Sequence, residues 1–366
     1  MKRFFLILIC ALTLTLTSCQ KKEVIEDKYT YNFFGTFDTV VYTVMYAENE
    51  EKAKEYNDFI EKRFNDLHKK FDKYNNYDGI NNCKTINDMA GKEAVKVSDE
   101  LFDLIEKSIK YYKDYSDEAD ISLGALLNVW SDYRDLNQNL DASDDIKDDD
   151  LLPSQEELEK ANSFTGMEQI HLDPENKTVY IDNDNTQIDL GAIAKGYAVE
   201  LVCREVEELG CDSLLISAGG NVKSIGHPND GIRARWGVGI QNPDILFPKE
   251  GESNILETIF VSGQSVVTSG DYQRYFVVDG KVYHHLIDKD TLYPGDYFRA
   301  VTVVTEDSAL ADFMSTVIYL MPYEEGRALV DNNKDVDALW IMKDGSVVAS
   351  DGMKEIMLSE GATGAK

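Results

Sequence analysis

Basic residues are scarce. The 366-residue chain carries 37 Lys and Arg against 67 Asp and Glu, a formal net charge of −30. That balance argues against a nucleic-acid binder, because phosphate contacts need clustered Lys and Arg. A site for a free nucleotide would likewise need a metal ion or local cations to offset the acidic surface. Cysteine is also sparse, five in all, with no CxxC spacing. Cys10 lies within an N-terminal apolar segment and Cys19 directly after it, leaving Cys83, Cys203 and Cys211. An odd remainder without paired spacing indicates neither a disulfide framework nor a zinc site, so buried free thiols are expected. No internal repeat is visible. The apolar run "FFLILICALTLTLT" is too short to span a membrane comfortably.

That run has the layout of an export signal. Lys2 and Arg3 precede it, and "LTSC", Leu16 to Cys19, comes directly after. An apolar residue, two small residues and a cysteine form a lipobox, similar to a bacterial lipoprotein signal cut before Cys19, whose thiol takes the lipid. The alternative is an uncleaved anchor helix, and either reading puts the folded part outside the cytoplasm. The expected organisation is a signal peptide over 1–18, a lipid-anchored tether over 19–30, one domain over 31–355 and a flexible tail over 356–366.

Within the domain, "FFGTFDTVVYTVMY" alternates and is rich in β-branched and aromatic residues, predicting a strand from about Thr39. Residues 50–72 and 99–113 repeat apolar positions at helical spacing. "DASDDIKDDD" reads as a solvated loop. "PSQEELEKA" opens a short helix, "KTVYID" and "TQIDLG" look like paired strands, and a long helix is expected from about Ala192 to Leu209. Short strands with turn residues between them come next, and "VDALWIMKDGSVVAS" closes as a hairpin on Asp344-Gly345. The class is α+β, with mixed or antiparallel sheets and packed helices.

Three segments carry chemistry. In "DLGAIAKGYAVE" a glycine precedes a helix start, whose exposed amides attract phosphate, and Lys195 lies on the first turn. "ISAGGNV" brings adjacent glycines to a strand end, where backbone can approach a ligand. "ALADFMSTVIYLM" is an apolar helix that nevertheless holds Asp312, Ser315 and Thr316. A buried carboxylate there needs a partner. Taken singly, each also has a plainer reading: a glycine-capped helix, a turn, and a carboxylate capping a nearby loop.

Taken in order, "FGTFDT", "FDKYNN", "ADISLGALLNVW", "DLGAIAKGYAVE", "SAGGN", "GVGIQNP", "SGDYQRYF", "HHLID" and "ADFMST" resemble the FAD:protein FMN transferases of the ApbE family. The resemblance covers essentially the whole mature chain and implies a T-fold-like α+β architecture. It implies that FAD is the substrate and Mg²⁺ the cofactor. A Ser or Thr hydroxyl of an extracytoplasmic acceptor protein would attack the flavin-side phosphorus, and AMP would leave. By position, Asp312, Ser315 and Thr316 match metal-ligand sites, with Ala192 contributing its backbone carbonyl. Phe34, Tyr74, Ala119, Asp120, Asp189, Lys195, Leu286 and Ile287 match FAD-binding sites. His285 is the candidate general base, expected near its ordinary pKa. On a strand His284 would point the other way.

Several positions depart from the family pattern. "DKDTLYP" lacks a usual proline and glycine, Ser122 and Ala125 replace threonine and proline, and Glu200 stands for aspartate. They bear on loop shape more than on the metal grip. The alternatives are a metal-dependent FAD pyrophosphatase, with water as acceptor, and a lipid-anchored protein that only binds flavin.

Overall fold

The computed structural model describes residues 25–138, 151–244 and 253–366. The lipobox with Cys19 and the "DASDDIKDDD" segment lie outside the described residues.

The chain opens with β1 (Asp27–Thr36) and β2 (Thr39–Ala47), joined by Phe37 and Asp38, both with positive φ (52° and 50°). Two left-handed residues give the tight hairpin turn that matches strand twist. α1 (Glu50–Phe71) starts where the Asn49 side chain accepts the Lys52 N–H, and it buries Tyr56, Ile60, Phe64, Leu67 and Phe71 at the expected spacing. α2 (Cys83–Asp88), β3 (Val95–Lys96), α3 (Asp99–Asp114), α4 (Gly124–Gln138) and α5 (Gln155–Asn162) come after it. Next are β4 (Ile170–Asp173), β5 (Thr178–Ile181), α6 (Ala194–Glu208), β6 (Leu214–Ala218) and β7 (Asn221–Ile225). β8 (Trp236–Gln241) and β9 (Ile255–Val261) form a ribbon before β10 (Ser265–Gly270). β11 (Tyr275–Val278) pairs with β12 (Lys281–His284). The chain closes through β13 (Phe298–Thr305), α7 (Ser308–Tyr319), α8 (Tyr323–Asn332), β14 (Asp337–Met342), β15 (Val347–Ala349) and α9 (Asp351–Lys354).

Among the described residues one eight-stranded sheet organises the rest, in the order β1-β2-β6-β7-β10-β13-β14-β15. Every neighbouring pair is antiparallel. Alternation along each strand divides the core in two. Val267 and Val303 pack with α1, α6 and α7 on one face, while Val266 and Val304 pack with Trp236, Val238 and Ile259 of the β8–β9 ribbon on the other. The fold is α+β and antiparallel, as read from the sequence.

Three expectations fail locally. β1 begins at Asp27 and pairs with Ala47, so the strand takes in the last residues assigned to the tether. "TQIDLG" is not a strand, because its backbone is claimed elsewhere. Ile188 N–H goes to the Asn87 side chain and Asp189 N–H to the Ile121 carbonyl. Residues 356–366, expected as a flexible tail, pack against the ribbon. Ser359 bonds Glu257, Gly364 accepts the Ala234 N–H at 2.8 Å, and Met357 is buried beside Ile259.

Helices α6 and α7 cross at unusually close range. A methyl built on Gly196 would sit 2.2 Å from the Ser308 carbonyl oxygen and 2.5 Å from Asp312 Cβ. Only glycine permits that approach. Glu200, one turn on, accepts the Ser308 N–H at 2.8 Å and lies 3.1 Å from the buried Lys223 ammonium, fixing the start of α7. Gly196→Ala should therefore lower stability by about 3 kcal/mol, since overpacked backbone must move apart. A urea midpoint unchanged from wild type would count against that packing account.

Candidate active site

A cleft of about 660 Å³ opens at the ends of these helices. The start of α6, the Gly219–Asn221 turn, α7, the His285–Ile287 segment and the Asp72–Tyr74 loop all reach it. Lys73, Arg134, Lys195 and Arg274 line it together with Asp38, Asp72, Glu118, Asp120, Asp189 and Asp312, so cations and carboxylates are interleaved in its walls.

Eleven of the residues singled out from the sequence meet here: Tyr74, Ala119, Asp120, Asp189, Ala192, Lys195, His285, Leu286, Ile287, Asp312 and Thr316. Two do not. Phe34 lies on β1 with 70% of its surface exposed, and it is Phe37, in the turn beyond it, that lines the cleft. Alternation explains this, since Phe33 takes the core side. Ser315 is fully buried and does not line the cleft; its Oγ lies 2.9 Å from Ser269 Oγ and donates to the Asp312 carbonyl at 2.9 Å. It ties α7 to β10.

Asp189 closes the first wall. Lys73 Nζ sits 2.6 Å from its Oδ2, and the Gly191 N–H donates to its Oδ1 at 2.7 Å. Burial pushes this carboxyl up, but Lys73 and the Gly191 amide more than offset that and hold it below its ordinary value. Lys73 also donates to Asn128, which in turn donates to Gln187. The Asp72–Tyr74 loop, α4 and the Asp189 loop are thereby tied together. Asp120 accepts the Ser122 N–H and hydroxyl, both at 2.7 Å, yet burial leaves its pKa raised.

Asp312 forms the second wall. It is 4% exposed, and its Oδ2 accepts the Gly196 N–H at 2.8 Å. Lys195 Nζ lies 3.6 Å from Oδ1. Burial raises its pKa, and Lys195, the Gly196 amide and Asn221 oppose that shift without cancelling it. The carboxylate is partnered, then, but still strained toward its neutral form. Thr316 lies one turn along the same helical face. Among the described residues no group of three His, Cys, Asp or Glu side chains is arranged to hold a metal ion. Asp312, Thr316 and Ala192 all line the cleft, and the carboxylate and hydroxyl oxygens of the first two are of the kind that could hold a hard cation.

The two histidines, the last residue of β12 and the one after it, both border the cleft but are held differently. His284 is buried, with Nε2 2.9 Å from the Gly295 carbonyl and 3.2 Å from Tyr319 Oη, and Nδ1 accepting the Leu286 N–H. It is a core residue, held neutral by burial at about 4. His285 lines the cleft. Its Nδ1 lies 3.1 Å from the Gln273 carbonyl, which can only accept, so Nδ1 carries the proton and Nε2 keeps its lone pair. The expectation of an ordinary pKa fails. Burial, then the charges of Arg274 and Lys195 and the neighbouring His284, bring it down to about 3.

Sequence reasoning missed Lys73, Asn221, Arg274 and Trp130, which all line the cleft. Arg274 holds a positive φ of 46° and donates to the Phe37 carbonyl at 3.0 Å, bracing the β1–β2 turn. Lys73 and Asn221 lie inside "FDKYNN" and "SAGGN", but nothing in their spacing distinguishes them from surface residues.

Fold and cleft together define an α+β protein with a cleft of mixed charge where helices and sheet meet. Residues 34–340 match the model of the ApbE family. The chain belongs to that family. It is 29% identical over 268 residues to the FAD:protein FMN transferase of Klebsiella pneumoniae, covering 72% of this chain and 76% of the relative. It is 30% identical over 280 residues to that of Treponema pallidum, covering 73% and 72%. The crystal structure of the ApbE protein from Thermotoga maritima superposes with a TM-score of 0.75 at 27% identity, covering 90% of this chain and 99% of that one.

Proposed function

We propose that this protein transfers the FMN moiety of FAD to a Ser or Thr hydroxyl of an acceptor protein, with Mg²⁺ as cofactor and AMP as leaving group. The observation that carries the reading is the meeting of His285, Lys195, Asp189, Asp312 and Thr316 in one cleft. His285 accepts the proton of the acceptor hydroxyl at Nε2. That oxygen attacks the flavin-side phosphorus, a new P–O ester bond forms, and the pyrophosphate bond breaks with AMP as leaving group. Lys195 and Arg274 bring positive charge to the phosphates. Asp312, Thr316 and the Ala192 carbonyl are the groups that would hold Mg²⁺, which when bound neutralises charge on the pyrophosphate.

Intact-mass measurement after incubation with FAD, Mg²⁺ and candidate acceptors tests this directly. An acceptor heavier by one FMN, with AMP released, is the expected result. Free FMN and AMP with no acceptor modified would establish pyrophosphatase activity in its place. FAD recovered unchanged with every acceptor would leave only flavin binding.

The site of action we propose is outside the cytoplasm, with the protein held to the bacterial cell membrane through lipid on Cys19. The support is the "LTSC" box after an apolar segment. Cys19→Ser should shift the protein from the membrane to the soluble fraction. A mutant that stays membrane-bound and processed like wild type would remove the lipid assignment.

A further inference from the structure

Asn221 opens β7 directly after Gly219 and Gly220, whose φ values are +54° and +91°. The turn is tight: a methyl on Gly219 would meet Thr39 Oγ1 at 2.3 Å. It drives the next side chain inward, and Asn221 is 1% exposed while lining the cleft. It lies close enough to the Asp312 carboxylate to pull that group's pKa down. An amide has that effect by presenting its NH2 end, since its oxygen end would repel the charge. Oδ1 is then left buried with no hydrogen-bond donor. An unpaired buried acceptor is costly, and few are tolerated without a reason.

An acceptor oxygen beside a carboxylate, in an all-oxygen donor set, is satisfied by a cation or by water on a cation. Lys195 does not meet the need; its ammonium approaches Asp312 Oδ1, and no bond joins it to Asn221. We infer that Asn221 Oδ1 is a further oxygen contact for the divalent cation held by Asp312 and Thr316, either directly or through one of its waters. The inference rests on the reading of this cleft as a metal site. Asn221 opens β7, whereas Asp312 and Thr316 sit on α7, so the residues that would hold the cation come from both sheet and helix.

The test is Mn²⁺ titration of the metal-free full chain, read by electron paramagnetic resonance of free Mn²⁺, on wild type, Asn221→Leu and Asn221→Asp. Mn²⁺ takes the same hard oxygen ligands. Asn221→Leu should weaken binding about 10–100-fold, the usual loss for a supporting contact. Asn221→Asp keeps the oxygen and loses the N–H donor, so it should bind as tightly as wild type or tighter. Equal weakening in both variants would mean that Asn221 acts only by donating to Asp312, and would overturn the contact. An unchanged affinity in Asn221→Leu would overturn it as well. Absence of Mn²⁺ binding in wild type would sink the metal reading itself and this inference with it. Should the leucine variant fail to fold, the aspartate variant decides: a weakened site overturns the contact, a retained one supports it.

Discussion

Replacing Asp312 by asparagine will sharply reduce metal-dependent transfer while raising the melting temperature of the metal-free protein. The gain comes from the carboxylate's surroundings. Burial raises its pKa in the fold, so between the ordinary carboxylate value and the raised one the native state binds more protons than the unfolded state. Stability from this group therefore falls as pH rises through that window, and at neutral pH the charge is a net cost. Asparagine keeps an oxygen for the Gly196 N–H, whose bond to Oδ2 is 2.8 Å, and removes the charge. Alanine would orphan that amide and blur the result. Transfer should drop by about three orders of magnitude, because metal neutralisation of a pyrophosphate supplies several kcal/mol. Melting curves with and without FAD and Mg²⁺ give the check: wild type gains from the metal, Asp312→Asn does not. If Asp312 only capped a loop, the mutant would melt lower and keep its Mg²⁺ response. Thr316→Val should show a smaller loss in the same direction, since it removes an oxygen without formal charge.

His285→Ala will lose transfer by about two to four orders of magnitude and still bind FAD. His284→Ala will behave differently: it breaks bonds to Gly295, Tyr319 and Leu286 in the core, so its loss appears in stability. Equal loss of turnover per folded molecule in the two variants would remove the base assignment. The pH profile adds a second check. In the free enzyme His285 is held at about 3 by burial and neighbouring positive charge. Bound phosphates bring opposite charge and raise it. The acid limb of kcat, which reports the bound enzyme, should lie at higher pH than that of kcat/KM. Coincident limbs would assign the limb to another group.

Much of this was legible in the sequence because periodicity reports burial. The spacing of Tyr56, Ile60, Phe64 and Leu67 carries the α1 core face, and alternation carries the antiparallel class. Asp312 stood out in "ADFMST" for a related reason: a carboxylate in an apolar helix is costly enough to call for partners, which Lys195 and the Gly196 N–H supply. Failures came where side chains overrule local pattern. Ile188 reads as strand, yet Asn87 captures its amide from 101 residues away. The C-terminal glycines read as a loose tail, yet Phe260 and Glu257 supply a surface to pack on. Lys73 was invisible because its meaning comes from Asp189, 116 residues downstream, and only the fold makes that pairing. His285 does reach the cleft, but its pKa was misjudged, because spacing says nothing of the charges that Arg274 and Lys195 bring to it.

The contact of Gly196 with Ser308 and Asp312 bears on how such a chain can be recombined. Two segments more than a hundred residues apart share one van der Waals surface, with Glu200 clasping the Ser308 amide from the far side. A chimaera that imports 308–319 from a relative, while keeping 191–200 from this chain, inherits a helix shaped for another glycine's neighbours. The two segments are one heritable unit. Family shuffling libraries should recover function when both cross over together, and lose it when a breakpoint falls between them.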